Sequence, residues 1–250
     1  MRYITILFSL FYLSVCEGVT LHALLLSDDT PASGLAEEVH IDIDKVHRLL
    51  TVVTKETKME LDITILQGKE AKLFCIKEWI DDLPSSPENI IFLYFAGHGF
   101  RTSQSSGRWP HLVLPNRGET ISSNWILEQF KSKEARLSIL LSDCCNNVDE
   151  RFLLRRKKGL KKEWPLPGLK KLFLETHGSI VAAASSPGEY AFCTLKQGGI
   201  FTDTLVTSLY KACQKQNPSW KEIFSRTRAT CTPLQTPIFS LTILPSEKEK

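Results

Sequence analysis

An α/β fold built on a mostly parallel sheet is what this sequence predicts, and three observations carry the prediction. Two stretches, Ile90 to Phe95 and Leu137 to Leu141, are apolar runs interrupted only by Ser138, the mark of strands buried on both faces of a parallel sheet. Between Thr20 and Leu83 the apolar spacing passes twice from strand-like to helical, the rhythm of right-handed strand-helix-strand crossovers. A chain of 250 residues that is 42% hydrophobic and 24% charged has the composition of one large or two small globular domains with a sizeable core.

Each element has its own signal. Met1 and Arg2 give a positive start, Tyr3 to Val15 is apolar, and Cys16-Glu17-Gly18 offers small or polar residues where a cleavage site would lie. Residues 1–18 are therefore expected to be a secretory signal peptide, its apolar run too short to span a bilayer comfortably. The mature protein would then be secreted or in the cell envelope with no stable membrane span, and cytoplasmic only if export does not occur. Thr20 to Leu26 is the first strand. From Ala36, residues Val39, Ile43, Val46, Leu49, Leu50 and Val53 recur at helical spacing. Leu61, Ile63 and Ile65 alternate with polar residues as a second strand, and Gln67-Gly68 turns the chain. Leu73, Ile76, Trp79, Ile80 and Leu83 mark a helix that stops near Pro84. Ile90 to Phe95 is the third strand, followed by a polar loop over 100–110 and a short apolar hairpin or edge strand at Leu112 to Leu114. Ser122 is placed to cap a helix carrying Trp125, Ile126 and Phe130, and Leu137 to Leu141 is the fourth core strand.

Residues 151–176 read as a basic, exposed linker between portions 19–150 and 177–246, because Arg151 to Lys171 interleaves nine basic residues and one acid with Gly and Pro. Beyond it come a small-residue strand (Ser179 to Ala184), a turn (Ser185 to Gly188), and a helix opened by Gly198-Gly199 and carrying Phe201, Leu205, Val206 and Leu209. A short helix near Trp220 to Phe224, a terminal strand near Ile238 to Leu244 and a solvated tail over 247–250 finish the chain. The net charge of +3 is too small for a nucleic-acid partner, since the basic stretch is local and the rest of the chain is net negative. Of seven cysteines, Cys75, Cys193, Cys213 and Cys231 read as small buried hydrophobes, although an exported chain would permit disulfides. No other Cys or His lies at ligand spacing from Cys144-Cys145, so no metal site and no cofactor is expected.

The chemistry gathers where the two apolar runs end. Gly97-His98-Gly99 follows one and Asp143-Cys144-Cys145 the other, and ligands collect outside the carboxyl ends of strands in such sheets. A thiol attacks only as thiolate, and an imidazole can take its proton, so His98 and Cys145 are the expected base and nucleophile. Cys144 would point to the opposite face and be structural. Gly99 lets backbone approach a substrate carbonyl, and with the N–H of Cys145 it could form an oxyanion hole, each donor typically worth about 3 kcal/mol. His22, His40, His47, His111 and His177 lack a cysteine or carboxylate context in sequence and are assigned structural or surface roles.

These motifs resemble the caspase-fold cysteine peptidases, most closely the metacaspase-like branch, which pairs Gly-His-Gly after one strand with Asp-x-Cys after the next. SIVAAASSPGEYA and GGIFTDTLVTSL look like the strand and helix of the family's small subunit, and Asp42 in IDIDKV sits like the acidic residue on its first helix. The resemblance implies a three-layer α/β/α sandwich, Cys145 as nucleophile, His98 as base, and a specificity pocket built on Asp143 and Asp42. A carboxylate beside the thiol would suppress the thiolate until a substrate cation neutralises it, so protein or peptide substrates with Arg or Lys before the cut are expected. Arg155, Arg156, Lys157, Lys158, Lys161 and Lys162 become self-cleavage candidates, since family members are often cut between the two portions. The chain departs from the pattern at Asn146-Asn147-Val148, where His-Ser-Gly is common, and at Ala96, where serine is common. The acidic loops that bind calcium in some relatives are not identifiable, so calcium dependence stays open. Two other readings stay open: a catalytically weak scaffold or binding module of the same fold, and an amide hydrolase that keeps the dyad without the acidic pocket.

Overall fold

The structure is a computed structural model and describes residues 18–102, 107–116, 118–147, 166–232 and 234–244. The expected signal segment and the six self-cleavage candidates from Arg155 to Lys162 lie outside the described residues.

Six strands form one sheet in the order β11-β8-β7-β3-β1-β2. They are β1 (Thr20–Ser27), β2 (Glu60–Gln67), β3 (Ile90–Ala96), β7 (Leu137–Asp143), β8 (Gly178–Ala183) and β11 (Ile238–Ile243). Five run parallel and β11 is an antiparallel edge. The alternation in each strand explains why both sides are covered. In β3, Ile90, Phe92 and Tyr94 join one core with α1 (Ala36–Thr57), α4 (Gly168–Phe173), α5 (Ile200–Cys213) and α6 (Trp220–Cys231). Ile91, Leu93 and Phe95 join the other core, with α2 (Leu73–Asp82) and α3 (Ser123–Ser132). Successive side chains point to opposite faces of a strand, so a continuous apolar run needs a helical layer on each side, and the molecule is a three-layer sandwich.

Several local expectations change. The stretch read as linker is not exposed at its carboxyl end: Leu166, Leu169, Leu172 and Phe173 are buried, and 168–173 form α4. Their apolar spacing is helical, and it was hidden by Lys170 and Lys171, which sit on the outer side. β5 (His111–Val113) pairs antiparallel with β6 (Thr120–Ser122), as the hairpin alternative expected, and β4 (Gly99–Phe100), in the stretch read as a polar loop, adds a third strand to that sheet. Ser122 stands at the N-cap of α3 without a side-chain cap bond, while Ser123 Oγ donates to the Pro110 carbonyl at 2.6 Å. A two-stranded ribbon, β9 (Cys193–Thr194) with β10 (Gly198–Gly199), precedes α5.

The topology positions the site. The chain places β2 on one side of β1 and β3 on the other, so the sheet reverses direction beside β1 and opens a crevice at its carboxyl edge. Ala96 and Asp143 are register partners. His98 and Cys145 each lie two residues beyond that pair, at the same rim.

Candidate active site

A cleft of about 240 Å³ opens at this rim, lined by Ser33, Glu38, Asp42, His98, Gly99, Asp143, Cys145 and Cys193 among others. That is below the range of pockets for drug-sized ligands and suits a single side chain. His98 and Cys145, both partly buried, therefore share one cleft. His98 Nε2 lies 2.8 Å from the Ser33 carbonyl oxygen. A carbonyl only accepts, so Nε2 carries the hydrogen, and in the neutral ring Nδ1 keeps the lone pair. Ser33 is held in turn. Thr30 donates to Asp28 Oδ1 through its N–H at 3.1 Å and its hydroxyl at 2.6 Å, and Ser33 Oγ donates to the Thr30 carbonyl at 2.7 Å. Sequence reasoning placed a loop with Asp28, Asp29, Pro31 and Gly34 after β1 but did not connect it to His98. Its signal was Asp-Asp-Thr-Pro, in which an Asp side chain organises the backbone two residues on.

The Cys145 sulfur lies 3.4 Å from the Ala191 N–H, which donates to it. Cys144 behaves as the strand alternation requires: it is buried in the opposite core, and burial holds its thiol well above the usual range. A side chain on Gly99 would overlap Cys144 and would stand 2.6 Å from the Cys145 carbonyl oxygen, so only glycine lets the two motif backbones pack. Asn146, fully buried, ties the residues after the nucleophile in place. Its side-chain amide donates to the Arg108 and Ser185 carbonyls at 2.9 and 3.2 Å, its N–H donates to Glu189, and its carbonyl accepts from Gly188. Val148, where the pattern has glycine, lies outside the described residues. None of the six described cysteines is in a disulfide; Cys213 and Cys231 are buried as expected while Cys75 and Cys193 are only partly so, and burial pushes Cys193, Cys213 and Cys231 up to about 12.

Asp42 and Asp143 meet at the start of α5. Asp143 extends the inward row Leu137, Ile139, Leu141, and its Oδ2 accepts from the Thr202 N–H at 3.0 Å and the Thr202 hydroxyl at 2.7 Å. Tyr94 OH lies 2.6 Å from that hydroxyl; because Thr202 Oγ1 donates to Asp143, the phenol donates to Thr202. Asp42 Oδ2 accepts the Gly199 N–H at 2.8 Å. Both acids thus sit at the positive end of the α5 dipole, which favours negative charge. Burial works against them. It pushes Asp143 up to about 6 despite the Thr202 hydrogen bonds, and burial followed by the charge of Asp143 raises Asp42 well above the ordinary carboxylate range. Asp42 is 2% exposed, and its Oδ1 has no hydrogen-bond partner. Lys45, which offsets both acids, is engaged with Asp203 and the Gln197 carbonyl. Glu38, one turn before Asp42, also lines the cleft; sequence reasoning did not single it out, although its spacing from Asp42 was the available signal.

Outside the cleft, His22 pairs with Asp62 at 2.8 Å across β1 and β2, a carboxylate context the linear sequence did not reveal. His111 stacks on Phe100. Among the described residues, no group of three or more His, Cys, Asp or Glu could hold a metal ion, and no helix is long and apolar enough to cross a membrane.

Comparisons with known proteins follow the same lines. The sequence model of the caspase domain matches residues 38–246. Among solved structures, the crystal structure of caspase-1 from Spodoptera frugiperda superposes with a TM-score of 0.60 and 10% identity, over 88% of this chain and 87% of that one. At that identity the likeness is one of fold. No curated protein matches the sequence.

Proposed function

This chain belongs to the caspase domain family, and from that premise we propose that it is a cysteine endopeptidase cutting after Arg or Lys, with Cys145 as nucleophile and His98 as base. In this reading His98 Nδ1 takes the thiol proton and the sulfur attacks the scissile carbonyl carbon. The N–H groups of Gly99 and Cys145 hold the resulting oxyanion. The imidazolium then protonates the departing amine, leaving a thioester. Water, deprotonated by His98, attacks the thioester, and collapse of that second intermediate releases the carboxylic acid and the thiol.

One observation carries the choice of substrate: a buried Asp42 oxygen without a partner, in the cleft that holds the nucleophile. Buried carboxylates are stable when paired, and a substrate cation supplies the pair. Animal-caspase cleavage after Asp would instead bring a third negative charge to Asp42 and Asp143. Fluorogenic peptides identical except for Arg, Lys or Asp before the cut test the reading. Turnover of the basic pair alone, abolished by Cys145→Ala, is the expected result. Cleavage after Asp, or indifference to charge, refutes the acidic pocket. A folded protein that turns over none of the three favours the scaffold reading.

The same specificity makes Arg155, Arg156, Lys157, Lys158, Lys161 and Lys162 sites of autoprocessing in this proposal. Intact mass of wild type beside Cys145→Ala reads it, and identical single-chain masses count against it. Export through residues 1–18 belongs to the proposal as well, and amino-terminal sequencing of the native protein decides it.

A further inference from the structure

The cleft contains a third acid that the proposed mechanism does not use. Glu38 lies near the start of α1 and four residues before Asp42, so the two side chains stack on one helix face about 6 Å apart along the axis. It is 4% exposed and lines the cleft with Asp42 and Asp143. It belongs to the first turn of α1, which follows Leu35 and the Ser33 turn that holds His98, whereas Asp42 lies one turn further on. The acceptors therefore occupy two levels: the partnerless Asp42 oxygen beside Gly199 below, and Glu38 one turn nearer the dyad.

We infer that Glu38 is a further specificity-determining residue and that it makes the site select Arg over Lys before the cut. The inference rests on the basic selectivity proposed above. A lysine ammonium is a compact point charge that serves one level at a time. A guanidinium is a planar fork with five N–H donors, and it spans acceptors too far apart to converge on one small ion. Lys45 is engaged with Asp203 and Gln197 and leaves the upper level to the substrate.

Full-length Glu38→Gln, which keeps size and shape, is assayed on two peptides that differ only in Arg or Lys before the cut. Wild type prefers Arg. In the variant kcat/KM for the Arg peptide falls about tenfold, mainly through KM, as loss of one charge-assisted hydrogen bond requires. The Lys peptide falls about twofold, by loss of a more distant charge. Glu38→Asp recovers part of the Arg preference. An unchanged Arg-to-Lys ratio in a folded Glu38→Gln overturns the role of Glu38 while leaving basic selectivity intact. Absence of any wild-type turnover on either peptide overturns both. A second readout needs no variant: peptide aldehydes ending in Arg bind wild type several-fold tighter than those ending in Lys, and equal affinity overturns the inference.

Discussion

Asp143 carries its proton up to about pH 6 because burial disfavours its charged form, and Asp42 is raised further by burial and by Asp143 itself. The unfolded chain releases those protons near the ordinary aspartate range of about 4. Between these values folded Asp143 holds its proton longer than in the unfolded chain, so its contribution to stability rises as pH falls from about 6 toward about 4; raised Asp42 acts in the same direction, and ionising the pair costs stability. Asp143→Asn keeps an acceptor for Thr202 and removes the charge. It should raise stability on the order of 2 kcal/mol at pH 7.5, with the gain shrinking toward pH 4, while abolishing cleavage after Arg. Denaturant melts at the two pH values check this, and a loss of stability at pH 7.5 would mean that the Thr202 bonds outweigh burial. Cation recognition runs the other way with pH. An Arg peptide should bind Cys145→Ala progressively more weakly as pH falls through about 6, in titrations that involve no chemistry. Substituting Asn at 143 should flatten that slope.

At the scale of elements, the short turn Gly198-Gly199 matters more than its length suggests. Gly198 has φ +67°, a conformation side chains rarely adopt, and a Cβ at Gly199 would overlap Asp143 and stand 2.9 Å from Asp42 Oδ2. The turn feeds the first turn of α5 between the two acids, so Gly199→Ala should push the carboxylates apart. Arg-peptide turnover is expected to drop at least about tenfold with circular dichroism unchanged; wild-type turnover would show that the acids can relax around a methyl group. This turn was legible as a helix start because two glycines precede an apolar helical pattern. Its service to Asp42, 157 residues away, was not, because hydrogen bonds across the fold leave no local spacing to read.

For the whole molecule, α4 shows how far the sandwich extends past the basic stretch. Leu169 is fully buried, and the Trp220 indole donates to the Leu172 carbonyl at 3.1 Å, tying α4 to α6. Leu169→Ala should destabilise the protein by about 2–5 kcal/mol, read as a lower urea midpoint with unchanged slope. A negligible change would return this segment to the status of a tolerant linker.

The sequence by itself determined the six strands of the main sheet, most helices and the two motifs at the strand ends. Apolar runs and helical spacing are local consequences of which faces must leave water, and a parallel sheet sends its polar residues to one rim. Tertiary structure alone decided that the Ser33 carbonyl selects the His98 tautomer, that Asn146 is tied to the carbonyls of Arg108 and Ser185, and that Glu38, Asp42 and Asp143 line one cleft. Those contacts depend on strand register and on how the helical layers settle against the sheet, and neither is written in any single stretch of chain.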